Sequence, residues 1–251
     1  MRQIKTRAIV TRSIKWGDSS KIVSLFTRDL GRIDVIAKGA RKKNNLYQGI
    51  LETLNFIETI IYYSPKRSLQ NIGTVTIEDN FIDIRKNIVK TGYAFSIIEL
   101  LNIFFIDTES EPIFFDFVVY IIYYIQSDKK NEIAFWFFIL KLTSFLGFKP
   151  EFDKCKYCGR SVKKNAKGFL NKEGSVICNS CAKNADAITI VSPEIINFLN
   201  ELQNTHYKNI SVNSFPAGKA EIITNFLLDF LRYHTEQKII LKSLSLTRLP
   251  A

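Results

Sequence analysis

The chain has 251 residues, 46% hydrophobic and 24% charged; that is enough apolar content for one large or several small cores, and it excludes a disordered chain. A formal net charge of +11 and a pI near 9.4 point to a polyanionic partner, nucleic acid or an anionic membrane surface. The longest apolar runs, 113–125 and 133–148, each carry a charge and fall short of the roughly 20 residues of a membrane span, and no secretory hydrophobic segment follows the basic N-terminus.

The charge is segregated. Residues 1–77 hold 14 Lys/Arg against 5 Asp/Glu, residues 91–153 hold 4 against 9, and residues 154–184 hold 8 against 1. Two basic modules therefore flank an acidic, aromatic middle, a pattern that solubility alone does not require.

In the first module, period-two alternation predicts five strands over 8–14, 21–27, 32–37, 55–63 and 68–77. Breakers separate them: Gly17-Asp18, Leu30-Gly31, the stretch from Lys38 to Asn45, and Ser64-Pro65. Five strands in so short a length predict a small closed barrel, which removes exposed edges; an OB-like barrel is expected, and an SH3-like one has nearly the same strand count. Lys38-Gly39-Ala40-Arg41-Lys42-Lys43 packs four cations into six residues at a strand end, a natural phosphate clamp or, read plainly, a solvated loop. If the barrel holds nucleic acid, phosphates are expected at Arg12, Lys38, Arg41, Lys42, Lys43, Lys66 and Arg67. Trp16 would then stack a base or, alternatively, plug the barrel end. Tyr47, Tyr62 and Tyr63 are expected to pack. No base-reading pattern appears, so weak sequence preference and steep salt dependence are expected.

From Phe81 the period lengthens to about 3.6, with Phe81, Ile84 and Ile88 on one helical face, and further helices are predicted near 93–106, 113–125 and 133–147. Their apolarity predicts a bundle. Ser192-Pro193-Glu194 is a helix start, and Ile222 to Leu231 marks a last amphipathic helix.

Cys155, Cys158, Cys178 and Cys181 form two C-x2-C pairs, the spacing of a tetrahedral site. A structural Zn2+ is expected, with a redox dithiol as the minor alternative; four thiolates leave no open position for catalysis. Clustering of all cysteines in one module points to a reducing cytoplasm. The surrounding Lys154, Lys156, Arg160, Lys163, Lys164 and Lys167 make the module either a second nucleic-acid contact or a charged scaffold. His206 and His234 sit in no catalytic motif, His234 being expected as a helix-end cation, and no phosphate-binding or nucleophile loop appears, so no enzyme is expected.

Several blocks carry a resemblance: Ala8-Ile9-Val10-Thr11-Arg12, the run from Ile22 to Gly31, Ala37-Lys38-Gly39-Ala40-Arg41, Leu51 to Asn55, the four-cysteine insert, and Leu241-Lys242-Ser243-Leu244. Together they resemble the RecO family of bacterial recombination mediators and DNA repair proteins across essentially the whole chain. The resemblance implies a multidomain α+β protein: an OB-fold DNA-binding domain over 1–79, a helical domain over 80–153 and 186–251, and a four-cysteine zinc-finger insertion over 154–185. It further implies a non-enzymatic, cytoplasmic, nucleoid-associated protein. Such a protein binds single- and double-stranded DNA and anneals complementary strands; with RecR it helps RecA load onto DNA coated by single-stranded-DNA-binding protein. Lys38 and Arg41 match the family's AKG-x-R pattern. Asp18 stands where glutamate is commoner, and Leu244-Ser245 replace a doubled arginine, so no DNA role is carried to the tail. Some members lack the cysteines, which sets zinc apart from the core activity. The readings from other classes are a zinc-ribbon protein-interaction scaffold and an RNA- or transcription-associated binding protein.

Overall fold

Alternating side chains in the first eighty residues build five strands: β1 (Arg2–Trp16), β2 (Ser20–Thr27), β3 (Gly31–Ala37), β4 (Phe56–Tyr63) and β5 (Leu69–Asp79). The computed structural model describes residues 2–106, 109–127, 130–163, 165–185, 187–210 and 215–248. The strands close into a barrel in the order β1-β2-β3-β5-β4. β1 is shared: Arg2 to Ile9 pair with Tyr63 to Phe56 of β4, and Ala8 to Trp16 pair with Thr27 to Ser20 of β2. A register shift between Val10 and Arg12 marks the bulge that lets one long strand turn from one neighbour to the other. Asp34 to Ile36 then lie parallel to Leu69 to Asn71 and complete the closure. Ala8, Val10, Val23, Leu25, Val35, Ala37, Ile57, Ile61 and Ile72 fill the interior, each Val, Leu or Ile contributing about 1.5–3 kcal/mol by leaving water.

Four helices follow: α1 (Ile82–Arg85), α2 (Ile88–Phe104), α3 (Pro112–Gln126) and α4 (Asn131–Phe145). The periodicity runs without interruption from Phe81, yet the helix breaks before Ile88, because the Asn87 side chain accepts hydrogen bonds from Val89 N and Lys90 N and starts a new helix. A second sheet, order β7-β6-β8, comprises β6 (Ala166–Leu170), β7 (Ser175–Cys178) and β8 (Ile188–Thr189). It precedes α5 (Pro193–Asn204), α6 (Ala220–Thr235) and a 3-10 turn at Ser243–Arg248. Among the described residues no helix is long and apolar enough to cross a membrane.

Two compact units result: Met1–Asn131 with Leu241–Ala251, and Glu132–Ile240. In the first, α2 and α3 sheathe part of the barrel wall. Phe26 on β2 meets Phe105 and Phe115 at 5.0 and 5.6 Å between ring centres, and Phe56 on β4 meets Phe115 at 6.3 Å. The C-terminal turn lies on α2 at Gly92, where a Cβ would come within 2.7 Å of the Thr247 methyl group, and Glu99 Oε1 accepts from Ser243 N and Oγ. In the second unit α4 is buried on nearly every side. Trp136 Nε1 donates to Thr224 Oγ1 at 2.8 Å, and Phe169 of β6 packs on Phe152, Phe226 and Phe230.

Candidate nucleic-acid interface and metal centre

The cations of the barrel unit fall into two sets. One set is spent on structure. Lys5 reaches Glu58 and Lys21 reaches Glu52, both at 2.8 Å, and Arg32 stands 3.5 Å from Asp34. Arg28 donates from Nε and Nη2 to the two oxygens of Asp116, each at 3.0 Å, which pins the β2–β3 turn to α3. The hydrogen bond and charge of Asp116 raise the Arg28 pKa. Arg85 donates to Thr53 O, Asn80 O and Asn55 Oδ1; desolvation of its guanidinium lowers its pKa, against the pull of Glu52.

The other set contains all seven cations singled out in the sequence. Arg12, Lys38, Arg41, Lys42, Lys43, Lys66 and Arg67 are exposed. Among the described residues none of them stands in an ion pair. Burying a charge without a partner is costly, so unpaired cations stay in water, where their field reaches an approaching polyanion.

Four of the seven share the loop after β3. Buried Ala40 is part of the barrel core, Gly39 turns at φ +73°, and Arg41 N and Lys42 N donate to Ser19 O and Gly39 O. The Arg41 guanidinium donates to Gly17 O at 2.9 Å, joining this loop to the β1–β2 turn. Downstream, Asn45 Nδ2 donates to Lys42 O, Asn55 Nδ2 donates to Gly49 O and Ile50 O, and Leu51 and Leu54 are fully buried. The loop is thus fixed at its backbone, with its charged side chains outside.

Arg12 projects from β1 opposite Ser24, which itself pairs with Asp34 on β3. The next row outward is apolar, Ile14–Ile22–Ile36, and Trp16 opposite Ser20 is 54% exposed. Trp16 therefore lies open on the surface and plugs nothing. Tyr62 and Tyr63 are half-buried, and Tyr47 donates from its hydroxyl to Gly73 O.

Lys66 and Arg67 are not brought into the loop cluster. They sit in the β4–β5 turn, and the Asp34–Leu69 register places that turn toward the start of β3, whereas the basic loop follows its end. The two groups flank β3 at opposite ends. Sequence reading missed Gln70, 3% exposed, which organises this second group: its amide accepts from Ser64 N and donates to Ser64 O and Arg67 O. The available signal was a polar residue at the inward position two before Ile72.

In the other unit, the sulfurs of Cys155, Cys158, Cys178 and Cys181 all lie within 4.8 Å of one another, a set that can hold one metal ion. Gly159 N donates to Cys155 O at 2.9 Å and Lys156 N to Val176 O at 3.0 Å, closing the first knuckle. Burial pushes the Cys155 thiol up, but backbone N–H groups of Cys158, Cys178 and Tyr157 outweigh it and bring the pKa to about 6. Hydrogen bonding to Cys178, with burial, pushes Cys181 up to about 12. Cys155 is thus the sulfur readiest as a thiolate, while Cys181 would surrender its proton as a metal binds. Lys154, Lys156, Arg160, Lys163 and Lys167 are exposed around the knuckles, and Lys164 lies outside the described residues. His234 is a packed side chain near the helix end: its Nε2 bonds the Asn171 carbonyl at 2.8 Å, and its ring packs against Phe230 and Phe148.

Comparison with known proteins covers nearly all of this architecture. Residues 1–81 match the family model described as Recombination protein O N terminal, and residues 85–244 match Recombination protein O C terminal. The chain is similar to proteins named DNA repair protein RecO from several bacteria. It is 26% identical over 245 residues to that of Chlorobium luteolum, covering 93% of each chain. It is 26% identical over 237 residues to that of Caldanaerobacter subterraneus, 94% of each. It is 30% identical over 222 residues to that of Shouchella clausii, 86% of this chain and 85% of the other.

Proposed function

The chain belongs to the RecO family of DNA repair proteins, and from that premise we propose that it is a non-catalytic recombination mediator that holds DNA by its backbone. In this reading it binds single- and double-stranded DNA, anneals complementary strands and, with RecR, helps RecA load onto DNA covered by single-stranded-DNA-binding protein. It works in the cytoplasm, at the nucleoid. The observation that carries the DNA-binding part is the sorting of charge: the seven named cations of the barrel unit are exposed and free of carboxylate partners among the described residues.

The barrel is read as an OB fold. A first strand shared by two neighbours, parallel closure of β3 on β5 and the order β1-β2-β3-β5-β4 support it, as do loops at both ends of β3 around an open strand face. Phosphates would meet Lys38, Arg41, Lys42 and Lys43 at one end of β3 and Lys66 and Arg67 at the other. Arg12, Trp16 and the Ile14–Ile22–Ile36 row lie on the open face of the same strands. Contacts of this kind hold the sugar–phosphate chain and leave base edges free to pair, which is what annealing requires. The family-based division into an OB domain over 1–79, a helical domain over 80–153 and 186–251, and a zinc insertion over 154–185 belongs to this proposal; the packing boundary between Asn131 and Glu132 cuts through its helical part.

The four cysteines are read as a structural Zn2+ site. A tetrahedron with Zn–S bonds near 2.3 Å has edges of about 3.8 Å, and Cys158 Sγ and Cys178 Sγ stand 3.8 Å apart. When bound, zinc supplies a cross-link between the two knuckles and no open coordination position. Around it, Cys178 N points at Cys155 Sγ from 3.5 Å, helping to hold that sulfur as thiolate.

The test is fluorescence anisotropy of a labelled single strand across a salt series. About six phosphate contacts give log K against log salt a slope near −4. Unchanged binding after Lys38, Arg41, Lys42 and Lys43 are all replaced by Ala would overturn the reading.

A further inference from the structure

A cleft of about 600 Å³ opens beside the cysteine knuckles, lined by Tyr157, Asn171, Lys172, Glu173, the segment from Ala187 to Thr189, and Tyr233. The volume lies within the range of small-ligand sites, about 300–1,000 Å³. Three observations, none of which the barrel explains, converge there. First, Tyr157 and Tyr233 are 59% and 51% exposed at its margin, although nothing in the packing requires two large rings in water. Second, Asn171 lines the cleft, and its Oδ1, buried in this side-chain orientation, has no hydrogen-bond partner among the described residues; a turn about the terminal torsion would offer it to a bound donor. Third, four of the eight lining residues come from the basic segment 154–184 and bring Lys172 to the cleft, although the one acid of that segment, Glu173, lines it too.

The wall is rigid. His234 Nε2 bonds the carbonyl of Asn171, and Gly174, at φ +62°, closes the β6–β7 turn against Phe230. At Gly168 a Cβ would come within 2.5 Å of Thr189 O, so β6 and β8 meet too closely for any side chain there. Tyr157 itself lies between Cys155 and Cys158, so metal binding by the knuckle would fix its position.

We propose that this cleft is a second nucleic-acid contact, taking one unpaired base of a single strand. The base stacks on Tyr157 and Tyr233, its exocyclic or ring N–H donates to Asn171 Oδ1 once that amide turns toward the cleft, and flanking phosphates meet Lys172, Lys156 and Lys154. Duplex DNA does not fit, because its bases are stacked and paired. The site is independent of the barrel loop, although it rests on the reading of the protein as a DNA binder.

Photocrosslinking of full-length, zinc-loaded protein to a short 5-iodouracil-substituted single strand, with mass-spectrometric mapping, tests it. Crosslinks are expected at Tyr157 or Tyr233, and should persist when Lys38, Arg41, Lys42 and Lys43 are all Ala. The double variant Tyr157→Ala, Tyr233→Ala should lose about tenfold in single-strand affinity, while the Tyr→Phe pair stays within about twofold, since phenyl rings stack as well. Duplex binding should be unchanged in both. Absence of crosslinks at both tyrosines together with wild-type affinity of the Ala pair overturns the cleft and leaves the barrel reading standing. Retention of single-strand binding by the barrel variant but not by the Ala pair overturns the barrel reading and keeps the cleft.

Discussion

The basic loop of the barrel and the basic knuckle of the cysteine module present similar charge by opposite means. The loop from Lys38 to Lys43 is set by ordinary folding: Ala40, Leu51 and Leu54 are buried, backbone amides bond to Ser19 and Gly39, and the charged side chains are what remains outside. The knuckle from Cys155 to Arg160 adds no large apolar side chain of its own to a core. Cys155 is buried, Lys156 to Arg160 are exposed, and the four sulfurs crowd together beside the module's buried Phe152, Phe169, Val176 and Ile177. The difference teaches that a surface of one sign can be built either on a hydrophobic core or around a cysteine cluster able to hold a metal ion. Only the second kind is open to chelation.

The largest expected effect breaks the comparison at the knuckle. Structural zinc contributes on the order of 10 kcal/mol to such a module. Cys178→Ser, or a strong chelator, should therefore release about one zinc per chain and melt the unit Glu132–Ile240 well below the rest in a thermal scan. Barrel-dependent duplex binding should survive. A single unshifted transition after zinc loss contradicts the metal-built knuckle.

Next in size, replacing Lys38, Arg41, Lys42 and Lys43 by Ala should lower single-strand affinity about a hundredfold at low salt and flatten the salt slope by about 3. The thermal midpoint should stay in place, because none of the four is paired to a carboxylate among the described residues. Neutralising Arg28 makes the converse control: it should loosen the turn held by Asp116 and leave the salt slope alone.

Gln70→Leu removes three hydrogen bonds at a buried site and leaves the Ser64 and Arg67 backbone without those partners. A loss of about 1–3 kcal/mol in denaturant unfolding is expected, with the contribution of Lys66 and Arg67 to DNA binding weakened. The smallest effect is expected from Trp16→Ala. Exposed as it is, the ring contributes little to stability, but loss of one stacked base should weaken single-strand binding about fivefold to tenfold. An unchanged affinity assigns Trp16 no contact.

Much of this was legible because the signals were local. Gly31 at φ +65° and the turns at Gly17 and Ser64-Pro65 broke the chain where strands end, and the C-x2-C spacing brought four sulfurs within one shell. What escaped depended on partners far along the chain. The extension of β1 back to Arg2 is stabilised by pairing with β4, and the short alternation of Ile4, Thr6 and Ala8 against exposed Gln3, Lys5 and Arg7 gains its meaning only from that partner. The break before α2 is the local exception: it hangs on one side-chain cap at Asn87, which the apolar period masks. Phe26, apolar at an outward position of β2, needs a cover over the barrel wall, and only the fold identifies α2 and α3 as that cover. The Tyr157–Tyr233 cleft joins residues 76 positions apart, a separation no motif encodes.

One experiment addresses the central claim most directly: the slope of log affinity against log salt for a single strand, measured on the wild-type chain and on the four-residue Ala variant side by side. Open, unpaired cations on the barrel predict a slope near −4 that falls by about 3 in the variant. Equal slopes for the two proteins, or a wild-type slope near zero, contradict it.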